Sequence, residues 1–213
     1  MLRPSPSRLK STQEASTRNF SNAAKQRRAR QFANSKIQYP ADYNVIDIET
    51  TGLNHEVDEI VEIGALKVVN HTVVDTFHAF VSIEGKIPTK ISELTGITEK
   101  MVNDEGKALC DVLNEFLTFL GELPIVAHNA DFDTNFLLQG CIKCKMPLFD
   151  NRCIDTLVLA KRRVHGMENY KLSTLAARFN IKNDSPHRGL GDCEATMLLY
   201  EKLIKFSDME VKS

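Results

Sequence analysis

Asp47 and Glu49 stand two residues apart in Y-N-V-I-D-I-E-T-T-G-L, residues 43–53, among the apolar residues Val45, Ile46 and Ile48. The β-branched setting predicts a buried strand. Its pleat sends both carboxylates to one face. Two ionised carboxylates side by side repel and resist desolvation. A fold keeps such a pair where a divalent cation sits between them, or where an edge strand turns its polar face to water. Thr50, Thr51 and Gly52 follow at once, and a glycine there allows a tight turn and close approach of backbone to a ligand.

Two further stretches carry groups of the same chemical kind. In I-V-A-H-N-A-D-F-D-T-N-F, residues 125–136, a short strand gives way to a helix. Asp131 and Asp133 then fall in the first helical turn, where the helix dipole favours carboxylates. Capping accounts for Asp131. Asp133 lies far enough into the helix to point across the sheet edge as a third ligand. In S-P-H-R-G-L-G-D, residues 185–192, His187 sits in a loop bearing Pro and Gly, and Asp192 opens the last helix. The loop lets His187 move, and histidine has the pKa for proton transfer near neutrality. A lone loop histidine is ordinarily just solvated. Four carboxylates and one histidine from three separated segments, each at an element end, make a site.

The elements that must position these groups follow from periodicity. Tyr43–Glu49, Ile60–Val69 and Thr72–Ile83 read as an antiparallel meander, with Asn70-His71 as its second turn. Residues 88–98 read as loop with a short helix, and Thr95-Gly96-Ile97 is expected at the surface. Lys107–Leu120 shows helical spacing and ends at Gly121. Pro124–Ala127 is a short buried strand, followed by a helix over Asp131–Lys143. Cys153–Lys161 starts as strand and continues as helix. Leu172–Phe179 and Asp192–Phe206 are amphipathic helices. The pattern predicts an α/β fold with a mixed central sheet and helices on both faces. Ligands of such sheets lie at the carboxyl ends of parallel strands, near a switch in strand order.

Composition sets outer bounds. The 213 residues carry a net charge of −1, but residues 1–36 hold nine Lys or Arg against Glu14 alone, a balance of +8 that leaves −9 for the rest. Residues 1–38 therefore read as a basic extension, disordered or loosely helical, and 39–213 as the folded domain. An Arg- and Ser-rich, acid-poor start also fits an organellar transit peptide. No apolar run is long enough for a membrane span, so no membrane partner and a cytoplasmic location are expected. Five cysteines in a chain with a good core favour reduced thiols over disulfides. Cys141-x-x-Cys144 with Cys153 lacks the second pair of a structural zinc site.

D-I-E-T-T-G, H-N-A-D-F-D and H-R-G-L-G-D, with I-V-E-I-G-A and L-T-G-I-T between them, resemble the motifs of the DEDDh 3′–5′ exonucleases. That family includes the proofreading epsilon subunit of bacterial DNA polymerase III and related exonuclease domains. The resemblance runs over residues 42–206 and implies an RNase H-like fold. It implies that Asp47, Glu49, Asp133 and Asp192 hold two Mg²⁺ or Mn²⁺ ions, that Asp47 bridges them, and that His187 takes the proton of the attacking water. It makes Thr50, Thr51, Gly52 and Leu53 candidates to hold a terminal nucleotide, with His128 and Phe132 near the next one. Core packing is the other reading of Phe132. Thr95 departs from the histidine that many proofreading subunits carry before Gly-Ile.

The implied activity is hydrolysis of phosphodiesters at DNA 3′ ends, in proofreading or repair, releasing nucleoside 5′-monophosphates. The implied partners are a single-stranded DNA 3′ end and a DNA polymerase. The alternatives are RNA 3′-end trimming at the same site and a non-catalytic nucleic-acid-binding module. The closing residues F-S-D-M-E-V-K-S show no recognisable clamp- or polymerase-binding segment, so the implied chemistry stands ahead of a replicative role.

Overall fold

The computed structural model describes residues 39–206. The expectation for residues 1–38 lies outside them. Strands β1 (Tyr43–Thr50), β2 (Ile60–Val69) and β3 (Thr72–Phe80) form the expected meander. Asn70 and His71 turn its second hairpin at φ 49° and 61°. Two left-handed residues in succession match the twist of the flanking strands. Helices α1 (Thr89–Thr95), α2 (Glu99–Glu105) and α3 (Leu109–Leu120) lead to β4 (Ile125–Ala127). Then come α4 (Ala130–Lys143), β5 (Cys153–Asp155), α5 (Thr156–Arg163), α6 (Leu172–Arg178) and α7 (Gly189–Lys205).

The sheet runs β3-β2-β1-β4-β5. β1 pairs antiparallel with β2 but parallel with β4, so strand sense switches at β1. Its alternation divides two cores. Ile46 and Ile48 pack with Val112, Leu113 and Phe116 of α3 and with Phe136 and Leu137 of α4. Tyr43 and Val45 are fully buried on the opposite face, where the Tyr43 ring meets Tyr200 of α7 edge-on at 4.8 Å between centroids. Asp47 and Glu49 are in phase with Tyr43, and so they face α7.

Four expectations need correction. β3 stops at Phe80; beyond it Val81 donates its amide to the Val61 carbonyl and forms an isolated bridge to Lys107. Thr95 and Ile97 are buried, not exposed. The Thr95 hydroxyl donates to the Ile91 carbonyl and accepts from the Ile97 amide, which turns Ile97 inward against Val61, Phe80, Ile87 and Val102. Helix α2 went unread because it is only seven residues long; the Thr98 hydroxyl caps it by accepting from the Met101 amide. The thiols are not all reduced: Cys110 at the start of α3 is bonded to Cys144 at the C-cap of α4, with Cα atoms 5.4 Å apart. Cys141 and Cys193 are buried thiols outside that bond. Among the described residues no helix is long and apolar enough to cross a membrane.

Candidate active site

The site grows from the register of β1 on β2. Asp47 pairs with Gly64 and Glu49 with Glu62, and a bulge between Glu49 and Thr50 ends the regular ladder. Bulges at such places re-aim the chain. Gly64 explains why a helix can end here. A Cβ on it would lie 2.4 Å from the Gly189 carbonyl carbon, and a Cβ on Gly189 would lie 3.0 Å from the Gly64 nitrogen. Strand and helix thus touch backbone to backbone. Buried Cys193 fills the remaining space, its Sγ 3.3 Å from the Gly64 carbonyl oxygen. This approach sets Asp192, in the first turn of α7, against the β1 carboxylates. The helix starts at Gly189, three residues before the expected Asp192.

Oxygens of Asp47, Glu49 and Asp192 come within 4.8 Å of one another. Asp133 approaches from the first turn of α4, buried, and its Oδ1 accepts the Ile48 amide at 3.2 Å. Crowding shows in the proton affinities. Burial, then Asp133, Glu49 and Asp192, push Asp47 well above the ordinary carboxylate range. Burial, then Asp192 and Glu62, push Glu49 up to about 8, against a partial pull from Arg188. Burial likewise holds Asp133 at about 8, despite the hydrogen bond from Ile48. Such a set holds protons unless a cation replaces them.

The His187 backbone is more constrained than its Pro- and Gly-bearing loop suggests. His187 stands at φ 59°, and its amide donates to Asp192 Oδ2 at 3.1 Å. Asn183 Nδ2 donates to the other Asp192 oxygen at 2.6 Å. The imidazole itself is exposed.

The substrate candidates divide into two groups. Thr50 is buried and donates its hydroxyl to the Gly52 carbonyl, while Thr51 and Glu59 exchange hydrogen bonds across the β1–β2 loop. Gly52 lies against the Asp58 carboxylate, so close that a Cβ there would come within 2.4 Å and displace that side chain. Leu53 projects from this braced loop, 86% exposed. By contrast, both His128 nitrogens are engaged inside the protein. Nε2 donates to the Tyr170 carbonyl at 3.0 Å and Nδ1 faces the Thr156 hydroxyl at 2.9 Å, and burial holds the ring's pKa below its usual value. Phe132 is half-buried, packed on the core and 5.0 Å from the Phe136 ring.

Sequence reasoning missed Glu62 and Asp155. Glu62 is 1% exposed and joins β2 and β3 to the start of α7. Its signal lay in I-V-E-I-G-A, a charged residue inside an apolar strand directly opposite Glu49. Asp155 closes β5 and caps two helices: it accepts the Leu157 amide of α5 at 2.8 Å and the Ala130 amide of α4 at 3.2 Å. It thereby supplies the cap of α4, where Asn129 makes no side-chain cap bond.

Carboxylate oxygens are hard donors, and a crowded set that holds Asp47, Glu49 and Asp133 above the ordinary carboxylate range is the donor set that suits a divalent cation. The cluster therefore fits a divalent metal centre. A family model described as Exonuclease (RNase_T) matches residues 45–200. The chain is 39% identical over 180 residues to DNA polymerase III PolC-type of Caldanaerobacter subterraneus subsp. tengcongensis, and 38% identical over 167 residues to that of Oceanobacillus iheyensis. Those alignments cover 84% and 78% of this chain but only 13% and 12% of the relatives, so the chain spans about an eighth of their length. Among solved structures, exonuclease X in complex with 5′-overhanging duplex DNA superposes with a TM-score of 0.62 at 28% identity, over 78% of this chain and 92% of that one. E. coli exonuclease I in complex with a dT13 oligonucleotide gives 0.69 at 16% identity, over 81% and 42%; this likeness speaks for the fold alone. The sheet is accordingly RNase H-like, and the chain belongs to the exonuclease family.

Proposed function

We propose that the protein is a metal-dependent 3′–5′ exonuclease that hydrolyses phosphodiesters at DNA 3′ ends and releases nucleoside 5′-monophosphates. The observation that carries this reading is the meeting of the Asp47, Glu49 and Asp192 oxygens within 4.8 Å at the end of β1. Those three, with Asp133, would hold two Mg²⁺ or Mn²⁺ ions. The chemistry such ions supply is activation of water and neutralisation of charge on the phosphodiester. A ring nitrogen of His187 takes the proton of the attacking water. The new P–O bond forms as the bond to the 3′ oxygen of the preceding nucleotide breaks, and that oxygen takes its proton from solvent water. Leu53, exposed on the loop that follows β1, separates the terminal base from its neighbour in this reading. The braced Thr50–Gly52 turn offers backbone groups to the terminal nucleotide.

DNA is favoured over RNA by the relatives, which are DNA polymerases, and by the neighbour bound to duplex DNA. Residues 39–213 form the exonuclease domain of this reading. The basic residues 1–38 add non-specific attraction to the polyanion. The same relatives suggest a polymerase as the functional partner in proofreading.

Digestion of 3′-labelled single-stranded DNA, beside the matched RNA, tests the proposal. We expect mononucleotide release with Mg²⁺ or Mn²⁺, none with chelator, and none from Asp47→Ala. Removing a direct ligand should cost more than the roughly 100-fold lost with an outer partner. Full turnover by Asp47→Ala, or faster digestion of RNA than of DNA, would overturn it.

A further inference from the structure

Glu62 lies outside the converging carboxylates, yet it holds the two residues that follow His187. Its Oε1 accepts Nε and Nη2 of Arg188 at 3.2 and 2.9 Å, and its Oε2 accepts the Gly189 amide at 2.9 Å. His78 of β3 donates Nε2 to the same Oε1 at 2.7 Å. Four donors thus converge on one buried carboxylate, three of them from the segment that begins α7. The other side of His187 is held as firmly. Its own amide is bonded to Asp192, and Gly191 lies so close to Ser185 that a Cβ would come within 2.3 Å of the Ser185 carbonyl oxygen. His187 itself is left-handed at φ 59°. A non-glycine residue stays there only where its surroundings impose it.

We propose that Glu62 is a positioning residue for the hydrolysis. By clamping Arg188 and Gly189 it holds the His187 backbone in the left-handed conformation in which its amide bonds Asp192, and the imidazole acts from that anchored backbone. The catalytic consequence rests on the exonuclease reading above; the clamp itself does not. A glutamine at 62 keeps the size but turns an NH₂ toward Arg188 or toward the Gly189 amide. Donor then faces donor, and one arm of the clamp is lost. Arg188 is a weaker handle than Glu62, because its side chain is 35% exposed while that of Glu62 is 1% exposed.

The test uses the full chain with Glu62→Gln, His187→Ala and the double variant, read by steady-state digestion and by amide hydrogen exchange. Glu62→Gln should lower kcat by about 10–100-fold, the range for an outer partner of a reactive centre. KM and the Mg²⁺ concentration for half-maximal rate should stay unchanged. The double variant should be no slower than His187→Ala, since no imidazole is left to position. Exchange at residues 187–189 should quicken in Glu62→Gln, with or without metal.

Arg188→Lys keeps the charge but loses the fork, and should fall between wild type and Glu62→Gln. A wild-type kcat in Glu62→Gln, or losses that multiply in the double variant, would overturn the positioning role. Should Glu62→Gln fail to fold, Arg188→Gln opens the same clamp from its exposed side and is read the same way. Wild-type protein that digests nothing would sink the exonuclease reading instead. Exchange at 187–189 would still judge the clamp, and unaltered exchange in Glu62→Gln would overturn it.

Discussion

Glu49 and Glu62 are the same residue type, paired directly across adjacent strands, yet the fold treats them oppositely. Glu49 is pushed up to about 8, and Glu62 is held below the ordinary glutamate range. Burial alone would predict the reverse order, because Glu62 is the less exposed of the two. Partners decide. Burial raises both, but His78, Arg188 and the Gly189 amide outweigh it at Glu62. At Glu49 the neighbours are Asp192 and Glu62, with only the pull of Arg188 against them. One carboxylate is saturated by the protein and belongs to its framework. The other is left in need of a cation, which is what a metal-dependent site requires before the metal arrives.

The largest effect that should separate them is on activity. Glu49→Gln should abolish digestion, beyond the about 100-fold expected of an outer partner. In metal-free protein at pH 8 the same change should raise the melting temperature, because it removes one of the repelling carboxylates. A variant that is both inactive and less stable without metal would mean that Glu49 is a structural residue like Glu62.

The next effect is on stability. Glu62→Ala leaves Arg188 and the Gly189 amide without their acceptor. Breaking a fully buried ion pair costs about 3–5 kcal/mol. Partial exposure of Arg188 brings the expectation to about 2–3 kcal/mol. Denaturant unfolding should show this loss equally with chelator and with Mg²⁺. A loss that appears only with metal present would make Glu62 a ligand and not a clamp.

The same contrast marks what could be read from the sequence. Strands β1 and β2 and helix α3 were legible because their apolar patterns are strong. D-I-E-T-T-G exposed the β1 carboxylates because two charges interrupt an apolar strand. Glu62 interrupts its strand in the same way, but its partners lie 16 residues away at His78 and 126 residues away at Arg188. No local pattern announces such contacts. Gly64 read as part of a motif, while its reason, the backbone of Gly189, exists only once α7 has docked. Thr95 and Ile97 looked like surface because the sequence does not reveal that one hydroxyl closes the turn. The Cys110–Cys144 pairing was hidden because it depends on how α3 and α4 align, not on the spacing of thiols.

The smallest effect is the most discriminating, because the two glutamates act on opposite limbs of a stability–pH curve. A carboxylate raised in the folded state adds stability fully present below its unfolded pKa and lost as pH climbs through the folded value. For Glu49 that window runs from about 4.5 to about 8, and for Asp133 from about 3.8 to about 8. A carboxylate lowered in the folded state does the converse, so the contribution of Glu62 is lost only as pH falls below the 4.5 of an ordinary glutamate. Metal-free protein should therefore melt progressively lower between pH 5 and about 8.5. Each kcal/mol is worth about 2–4 °C in a chain of this size, and partial exposure of Glu49 keeps the drop to several degrees. Saturating Mg²⁺ should flatten this alkaline limb, and metal binding should release protons across the same window, because the ligands must ionise to bind. Glu49→Gln should shrink the alkaline limb and spare the acid one; Glu62→Gln should shrink the acid limb chiefly, and the alkaline limb only to the lesser extent that its charge raises Glu49. A metal-free melting temperature that rises from pH 5 to 8.5 would mean the β1 carboxylates are already satisfied by the protein, and the distinction between the two glutamates would collapse.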